Sequence, residues 1–281
     1  MIIGSEKLTY QALCDAYEVK TVEKNGQTWA YRESGEGPAI VLLHGISSGS
    51  ASWINQLEAL EKSYRVIAWD APGYGQSSVF ATDKPNAADY ADALHQLCEM
   101  LDVKNPLIIG HSLGCMAAAA YYSKYEQSSR GLILVDPAQG YANFDEAKKE
   151  EVYQKRPQLL ARLGYKEMAK QRGLKLFSQH TAENIWLVEY VMSQLTQHGF
   201  THASYLLAYD SIEHYLNTSM KNVFFIYGEQ DGITLPADIK RLASTYQFIH
   251  VYGIDHAGHI SYLDQPSVFN NLLKDIEMLI N

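Results

Sequence analysis

Short, uninterrupted apolar runs alternate with helix-like segments along most of the chain, and this alternation limits the possible folds more than any other feature. Apolar runs of four to seven residues are typical of strands that are buried on both faces of a sheet. Five such runs occur: AIVLLH at 39–44, RVIAWD at 65–70, PLIIG at 106–110, RGLILVD at 130–136 and NVFFIYG at 222–228. FIHVYG at 248–253 is a weaker sixth run, and Asn25-Gly26 predicts a β-hairpin within residues 17–34.

Helical patterns fill the spaces between these runs. They cover residues 52–62 and 87–102, an alanine-rich stretch at 116–125, and a C-terminal amphipathic segment that begins at Pro266. The 281 residues are enough for one large core. We therefore expect an α/β fold with a mostly parallel central sheet and helices on both of its faces.

Residues 138–218 interrupt this alternation because they contain no run that could form a buried strand. Within residues 145–172, 13 of 28 positions are charged, which predicts a solvated helical surface. Residues 173–215 carry only five charges and seven aromatic side chains, and Thr181 is a candidate N-cap for a helix there. We expect a helical insertion whose aromatic half faces either the sheet domain or a pocket. The candidate pocket residues from this segment are Trp186, Tyr190 and Tyr209.

Composition excludes several classes of protein. The net charge is −9 and no block of basic residues occurs, which argues against a nucleic-acid partner. The N-terminus lacks the features of a secretory signal, and no apolar run approaches the roughly 20 residues of a membrane span, so no membrane partner is expected. The three cysteines, Cys14, Cys98 and Cys115, form no C-x-x-C pair and are expected to be reduced thiols in a cytoplasmic protein. The sequence gives no indication of the oligomeric state.

The pentapeptide G-H-S-L-G at 110–114 lies directly after a predicted strand and directly before a predicted helix. A serine on such a sharp strand-to-helix turn presents its hydroxyl outward, and the glycines leave space where the turn crowds its neighbours. The N-terminus of the following helix favours developing negative charge at the same place. Ser112 is therefore the candidate nucleophile.

A second match to the same pattern, G-I-S-S-G at 45–49, makes Ser47 a rival. This segment begins with His44-Gly45, a common opening for a loop that donates a backbone N–H to an oxyanion. It also continues as SGSAS before any helical pattern begins, so its turn is too loose for a nucleophile. We therefore prefer Ser112 and keep His44 as a candidate pocket residue.

A nucleophilic serine needs a base, and the base needs an acid that orients it. His259 and His256 both follow the last predicted strand, while His111 is adjacent to Ser112 and its side chain should diverge from it. Asp136 and Asp231 each end a predicted strand. The chain order Ser, Asp, His is compatible with either acid.

With these motifs in place, the sequence resembles the α/β-hydrolase superfamily over residues 20–281. The motifs occur in the order of that family: L-L-H-G at 42–45, D-A-P-G-Y-G-Q-S at 70–77, G-H-S-L-G at 110–114, G-E-Q-D-G at 228–232 and A-G-H at 257–259. The resemblance prefers Asp231 over Asp136 as the acid and His259 over His256 as the base. It also implies an oxyanion hole formed by the backbone N–H groups of Ile46 and Leu113.

The resemblance further implies a division of the chain. Residues 1–137 and 219–281 would form the core domain, and residues 138–218 would form a helical cap domain after the sixth strand. It implies no metal ion and no organic cofactor, and the only partner it implies is a small-molecule substrate with an apolar part.

Several functions remain open within this superfamily. A serine at position 112 argues against haloalkane dehalogenases and epoxide hydrolases, which have aspartate there. Carbon–carbon hydrolases often carry a tryptophan after the catalytic histidine, whereas Ile260 follows His259. Hydrolysis of a carboxylic ester, lactone or thioester is the leading interpretation. Carbon–carbon hydrolysis is an alternative, and a non-catalytic binding protein of the same fold is another.

Overall fold

A computed structural model describes residues 8–280, and its centre is one eight-stranded sheet. All five strong apolar runs form strands, and so does the weaker sixth run. The strands are β1 (Lys20–Lys24), β2 (Gln27–Ser34), β3 (Ala39–Leu43), β4 (Arg65–Asp70), β5 (Leu107–His111), β6 (Gly131–Val135), β7 (Val223–Gly228) and β8 (His250–Ile254).

The spatial order of the strands is β1-β2-β4-β3-β5-β6-β7-β8. β2 pairs antiparallel with both β1 and β4, and every other neighbouring pair is parallel. Every residue of β3, β5, β6 and β7 is buried, as expected for strands that are covered on both faces. The predicted mostly parallel sheet is confirmed, and Asn25 and Gly26 form the predicted hairpin turn with φ angles of 56° and 75°.

Helices cover the sheet, and the four helical patterns predicted between the strands and at the C-terminus are all present. The helices are α1 (Tyr10–Ala16), α2 (Ile54–Leu60), α3 (Ala87–Met100), α4 (Gly114–Tyr125), α5 (Glu146–Leu176), α6 (Ala182–Ser193), α7 (Gln197–Tyr209), α8 (Pro236–Thr245), α9 (Ser261–Asp264) and α10 (Pro266–Ile280). α10 starts at the predicted proline, which loses no hydrogen bond in the first turn. No helix within residues 8–280 combines the length and apolar character that crossing a membrane requires.

Between β6 and β7 the described chain forms α5, α6 and α7 and contributes no strand to the sheet. The Thr181 hydroxyl accepts a hydrogen bond from the backbone N–H of Asn184 at 3.1 Å, which is the predicted N-cap of α6. This helical insertion is where the sequence places it. Its separation as a cap domain with bounds 138–218 stays a prediction.

The insertion is attached to the rest of the fold at several places. The Thr196 hydroxyl donates to the backbone carbonyl oxygen of Gly73, in the loop after β4, at 2.7 Å. The backbone N–H of Ala87, at the start of α3, donates to the Asp210 carboxylate at 2.8 Å. The backbone N–H of Ile260, after β8, donates to the carbonyl oxygen at the end of α5 at 3.2 Å. These bonds hold the insertion above the carboxyl ends of the strands.

α5 is not one straight helix. Gly164 has φ 71° and ψ 168°, so two helical segments meet there at a kink. A side chain larger than hydrogen is strongly disfavoured in this region of backbone conformation. The kink therefore depends on a glycine at this position.

Candidate active site

Ser112 occupies the tight turn between the end of β5 and the start of α4. Its φ is 52°, a left-handed value that is uncommon for a residue other than glycine. A Cβ atom on Gly114 would lie 2.6 Å from the backbone carbonyl oxygen of Leu43, so the turn packs against β3 too closely for a side chain there. This geometry directs the Ser112 hydroxyl away from the turn at the carboxyl end of the sheet, as a nucleophile on such a turn requires.

The structure brings Ser112, His259 and Asp231 together. His259 Nε2 lies 3.0 Å from Ser112 Oγ, and His259 Nδ1 lies 2.8 Å from Asp231 Oδ2. All three residues are buried. Since Nδ1–H donates to the carboxylate, Nε2 is left to accept the serine proton. The tautomer is inferred from these partners.

Asp231 is held by further hydrogen bonds. Its Oδ1 accepts the backbone N–H groups of Ile233 at 2.7 Å and Thr234 at 3.1 Å, and its Oδ2 accepts the Thr234 hydroxyl at 2.6 Å. Burial acts to raise the pKa of Asp231, but the hydrogen bonds from His259, Thr234 and Ile233 outweigh burial and lower the pKa below its ordinary value. The carboxylate is therefore ionised at neutral pH.

Thr234 is a site residue that the sequence analysis did not identify. Besides contacting Asp231, its hydroxyl oxygen lies 3.2 Å from His259 Nδ1. The sequence does show a threonine three positions after Asp231 in a loop, where short polar side chains often form hydrogen bonds with each other and with the nearby backbone. That signal is too common to single out one threonine.

Asp136, the rival acid, lies elsewhere in the hydrogen-bond network. Its Oδ1 accepts the backbone N–H of Gly228 at 2.8 Å, and its Oδ2 accepts the Ser261 hydroxyl at 2.7 Å. Burial, followed by the charge of Asp231, raises the pKa of Asp136 well above its ordinary value. Asp136 therefore links the end of β7 to the start of α9, while Asp231 bonds to His259.

The remaining candidates do not occupy the positions of the base or the nucleophile. His111 Nε2 lies 2.8 Å from the carbonyl oxygen of His259. Burial and the neighbouring His259 lower the pKa of His111 to about 3, so its neutral ring donates this bond. His256 is exposed, and Ser47 Oγ is buried without a hydrogen-bond partner among the described residues. His111 thus supports the backbone of His259.

The loop after β3 contains a candidate oxyanion donor. Within residues 8–280, no acceptor is found for the backbone N–H of Ile46 or of Leu113. The Tyr74 hydroxyl donates to the carbonyl oxygen of Ile46 at 2.7 Å, which fixes the Ile46 peptide. Two free N–H groups next to Ser112 have the character of an oxyanion hole.

His44 supports the start of this loop. Its Nδ1 lies 2.8 Å from the carbonyl oxygen of Gly45, and its Nε2 accepts the backbone N–H of Ala71 at 3.0 Å. Burial lowers the pKa of His44, which is consistent with a neutral ring that donates at Nδ1 and accepts at Nε2. His44 does not line either of the cavities that contain Ser112. We therefore correct the expectation that it is a pocket residue.

Ser112 and His259 lie between two cavities. The first, here called the apolar cavity, has about 420 Å³ of space, part of it open to solvent, and its lining includes Leu176, Leu187, Val188, Val191, Ile260 and Leu263. The second, here called the cationic cavity, has about 930 Å³, part of it open to solvent. Its charged lining residues are Arg156, Arg172, Arg241 and Asp238. A substrate at Ser112 therefore meets an apolar surface on one side and a basic surface on the other.

The three aromatic residues chosen as pocket candidates lie outside both cavities. Trp186 and Tyr190 stack on each other with ring centroids 5.1 Å apart, and the Tyr190 hydroxyl accepts a bond from Arg32 at 3.1 Å. Tyr209 stacks on Tyr205 and donates to Glu150. Because successive helix residues point about 100° apart, the aliphatic face of α6 covers Ser112 while these rings point elsewhere. This corrects the expectation of an aromatic pocket roof.

Two members of the charged stretch 145–172 also differ from expectation. Arg156 and Arg172 border the cationic cavity, and the Nε atom of each is buried without a hydrogen-bond partner. The stretch as a whole is otherwise largely exposed, as predicted. The sequence pattern marks the helix as polar but does not show which charges point inward.

The described part of the chain contains no candidate metal site. No cluster of three or more His, Cys, Asp or Glu residues is arranged to hold a metal ion within residues 8–280. Cys14, Cys98 and Cys115 are buried and free. The expectation that no metal or cofactor is needed stays a prediction.

The sheet order, the serine on its strand-to-helix turn and the buried Ser–His–Asp arrangement together define the class of α/β hydrolases. The chain belongs to the family described as alpha/beta hydrolase fold, whose sequence pattern matches residues 38–266. This membership confirms the resemblance found from the motifs.

Individual relatives are more distant. The chain is 39% identical over 115 residues to an uncharacterised protein of Mycobacterium tuberculosis, covering 40% of this chain and 32% of that protein. It is 31% identical over 111 residues to the 2-hydroxy-6-oxo-6-phenylhexa-2,4-dienoate hydrolase of Comamonas testosteroni, covering 38% and 39%. The aligned part of the chain thus spans about a third of the first relative's length and about two fifths of the second's. A thermophilic esterase from Thermogutta terrifontis has the same fold, with a TM-score of 0.81, 23% identity and coverage of 93% and 97%.

Proposed function

We propose that this protein is a serine hydrolase that cleaves a carboxylic ester, lactone or thioester through an acyl-enzyme on Ser112. The observation that carries the proposal is the continuous hydrogen-bonded arrangement of Ser112, His259 and Asp231, with contacts of 3.0 and 2.8 Å. The substrate is a small molecule, since residues of the helical insertion line both cavities at Ser112 and limit the space there.

The first half of the reaction forms the acyl-enzyme. Ser112 Oγ attacks the carbonyl carbon while His259 Nε2 takes the hydroxyl proton, and the ionised Asp231 stabilises the resulting imidazolium. The oxyanion is bound by the N–H groups of Ile46 and Leu113, each worth about 3 kcal/mol in comparable sites. When the intermediate collapses, His259 returns the proton to the leaving oxygen or sulfur, and the carbon–heteroatom bond breaks.

The second half restores the enzyme. A water molecule attacks the acyl carbon and gives one proton to His259 Nε2, which then passes it to Ser112 Oγ as the ester bond to the serine breaks. The products are a carboxylic acid and the free serine. One histidine performs both proton transfers because its Nε2 faces Ser112 Oγ while its Nδ1 is held by Asp231.

Carbon–carbon hydrolysis is the second candidate. It is favoured by the similarity of 111 residues to the Comamonas testosteroni hydrolase, which is named for a dienoate substrate. A screen of phenyl esters, lactones and a 2-hydroxy-6-oxo-dienoate separates the two candidates. Turnover of the dienoate with no turnover of any ester would replace the leading proposal.

The nucleophile is tested independently of the substrate by labelling with a fluorophosphonate. We expect the intact protein to be labelled at Ser112, with the modified peptide identified by mass spectrometry, and Ser112→Ala to remain unlabelled. Ser47→Ala is the matched control and should label like the wild type. Labelling at Ser47, or no labelling under conditions where another serine esterase reacts, would contradict the proposal.

A further inference from the structure

Two arginines at the cationic cavity have no partner in the protein. Neither Arg156 nor Arg172 forms a hydrogen bond or an ion pair with any residue in the range 8–280. The third arginine of the lining, Arg241, differs because it forms an ion pair with Asp238 at 2.7 Å. The cavity therefore has two guanidinium groups without a counter-ion.

These guanidinium groups are also partly buried and close to each other. Burial, followed by the charge of Arg156, lowers the pKa of Arg172 to about 10, and burial lowers the pKa of Arg156. Both groups remain protonated at neutral pH. Two like charges held together without an acid are unfavourable for folding, which points to a role in binding.

The kink in α5 is what brings the two arginines together. Residues 156 and 172 would be about 24 Å apart along a straight helix, because each residue adds 1.5 Å. Both nevertheless border one cavity, since the helix changes direction at Gly164. The backbone itself is therefore shaped to point two positive charges at one space.

The acids near the cavity are already in use. Asp231 bonds to His259, and Asp238 is paired with Arg241. Arg172 borders both the cationic and the apolar cavity, and so do Ser112 and His259. A group bound by the arginines would thus belong to the same molecule as the carbonyl group at Ser112.

We propose that Arg156 and Arg172 together bind a carboxylate group of the substrate, while an apolar part of the same molecule fills the apolar cavity. The planar fork of a guanidinium matches a carboxylate with two parallel hydrogen bonds. The substrate class is then an ester, lactone or thioester that carries a free carboxylate on one side of its scissile carbonyl group. This inference rests on the proposed function for the position of that carbonyl group.

The kinetic test compares three esters of similar size: phenyl pentanoate, the monophenyl ester of glutaric acid, and carboxyphenyl pentanoate. The glutaric ester carries its carboxylate on the acyl side, and carboxyphenyl pentanoate carries its carboxylate on the leaving group. We expect kcat/KM for one of them to exceed that of the neutral ester by about tenfold or more, because hydrogen bonds to charged groups are strong. No preference for either anionic ester would overturn the inference.

Variants assign any preference to the arginines. We expect Arg156→Gln and Arg172→Gln each to reduce the anionic-to-neutral ratio of kcat/KM by about tenfold. Arg162→Gln is the matched control, because Arg162 is exposed on the same helix and does not line either cavity. An equal reduction in Arg162→Gln would indicate long-range attraction and would overturn the proposed contact.

A binding measurement separates this inference from the proposed function. Ser112→Ala cannot form an acyl-enzyme, so calorimetric titration with the preferred anionic ester reports binding alone. We expect binding to weaken about tenfold when Arg172→Gln is added to this variant. We also expect glutarate, but not inorganic phosphate, to compete with the ester. Intact fluorophosphonate labelling without carboxylate binding would refute the inference only. Carboxylate binding without labelling or ester turnover would refute the proposed function only.

Discussion

Asp136 and Asp231 are buried carboxyl groups at the ends of neighbouring strands, and their pKa values are shifted in opposite directions. Asp231 accepts hydrogen bonds from His259, Thr234 and a backbone N–H, and its pKa is lowered. Asp136 has fewer donors and is close to the charge of Asp231, and its pKa is raised well above the ordinary value. Hydrogen bonding therefore favours ionisation of Asp231, while burial and the charge of Asp231 oppose ionisation of Asp136.

This difference predicts unequal effects on activity. Asp231→Asn should lower kcat/KM for a reactive ester on the order of 10⁴-fold, because an amide neither stabilises the imidazolium nor fixes its tautomer. Asp136→Asn should cost less than about tenfold, since the asparagine Oδ1 can still accept the Gly228 N–H and its amide N–H can donate to the Ser261 hydroxyl, which then reverses its role. The measurement is steady-state hydrolysis of one ester by both purified variants. The reverse ranking would make Asp136 the acid.

The raised pKa of Asp136 also predicts a pH dependence of stability. Above the ordinary aspartate pKa of about 3.9, the unfolded chain releases this proton while the folded protein retains it, so wild-type stability falls as pH rises toward the folded-state pKa. Asp136→Asn has no carboxyl proton at this position and lacks this pH-dependent loss of stability. We expect the Tm of the variant minus that of the wild type to increase from about pH 4 upward. A pH-independent difference in thermal scans would contradict this.

Thr234 is predicted to position Asp231. Thr234→Val removes the hydroxyl that donates to Asp231 Oδ2 at 2.6 Å. Loss of one hydrogen bond to a charged group costs about 1.5–3 kcal/mol, so kcat should fall roughly ten- to a hundredfold with little change in KM. Thr234→Ser retains the hydroxyl and should recover most of the rate. If both variants are equally impaired, the methyl group rather than the hydroxyl is what matters.

The kink of α5 predicts a specific sensitivity at Gly164. Gly164→Ala should lower the free energy of unfolding by about 1–3 kcal/mol, because alanine is strained at φ 71° and ψ 168°. Gly232→Ala is the control: a Cβ atom has open space at both positions, and only Gly164 has a positive φ. Urea unfolding of both variants gives the comparison. Equal losses would show that backbone strain is not the cause.

Much of the sheet and of the candidate site could be predicted from the sequence because the signals are local. A run such as residues 39–43 is typical of a strand that is buried on both faces, and a serine between glycines on a tight strand-to-helix turn is typical of a nucleophile. Positions after strand ends, which a parallel sheet brings to one edge, narrow the acid to Asp136 or Asp231 and the base to His256 or His259. The resemblance to the α/β-hydrolase family then prefers Asp231 and His259.

The lining of the cavities could not be predicted in the same way. Whether Val191 or Tyr190 faces Ser112 depends on how α6 is rotated against the sheet, and neighbouring positions on a helix differ by about 100°. The inward direction of Arg156 and Arg172 depends on the kink at Gly164, which the charge pattern does not reveal. Tertiary packing determines both.

The hydrogen bonds between the helical insertion and the loops beneath it restrict how a substrate could enter. These bonds occur at three separate points, Thr196, Asp210 and Ile260. A hinge-like swing of all the insertion helices would therefore break all three bonds at once. The cationic cavity already opens to solvent beside Ser112. Entry through that mouth would leave all three bonds intact and would not require the scaffold that holds the catalytic residues to move.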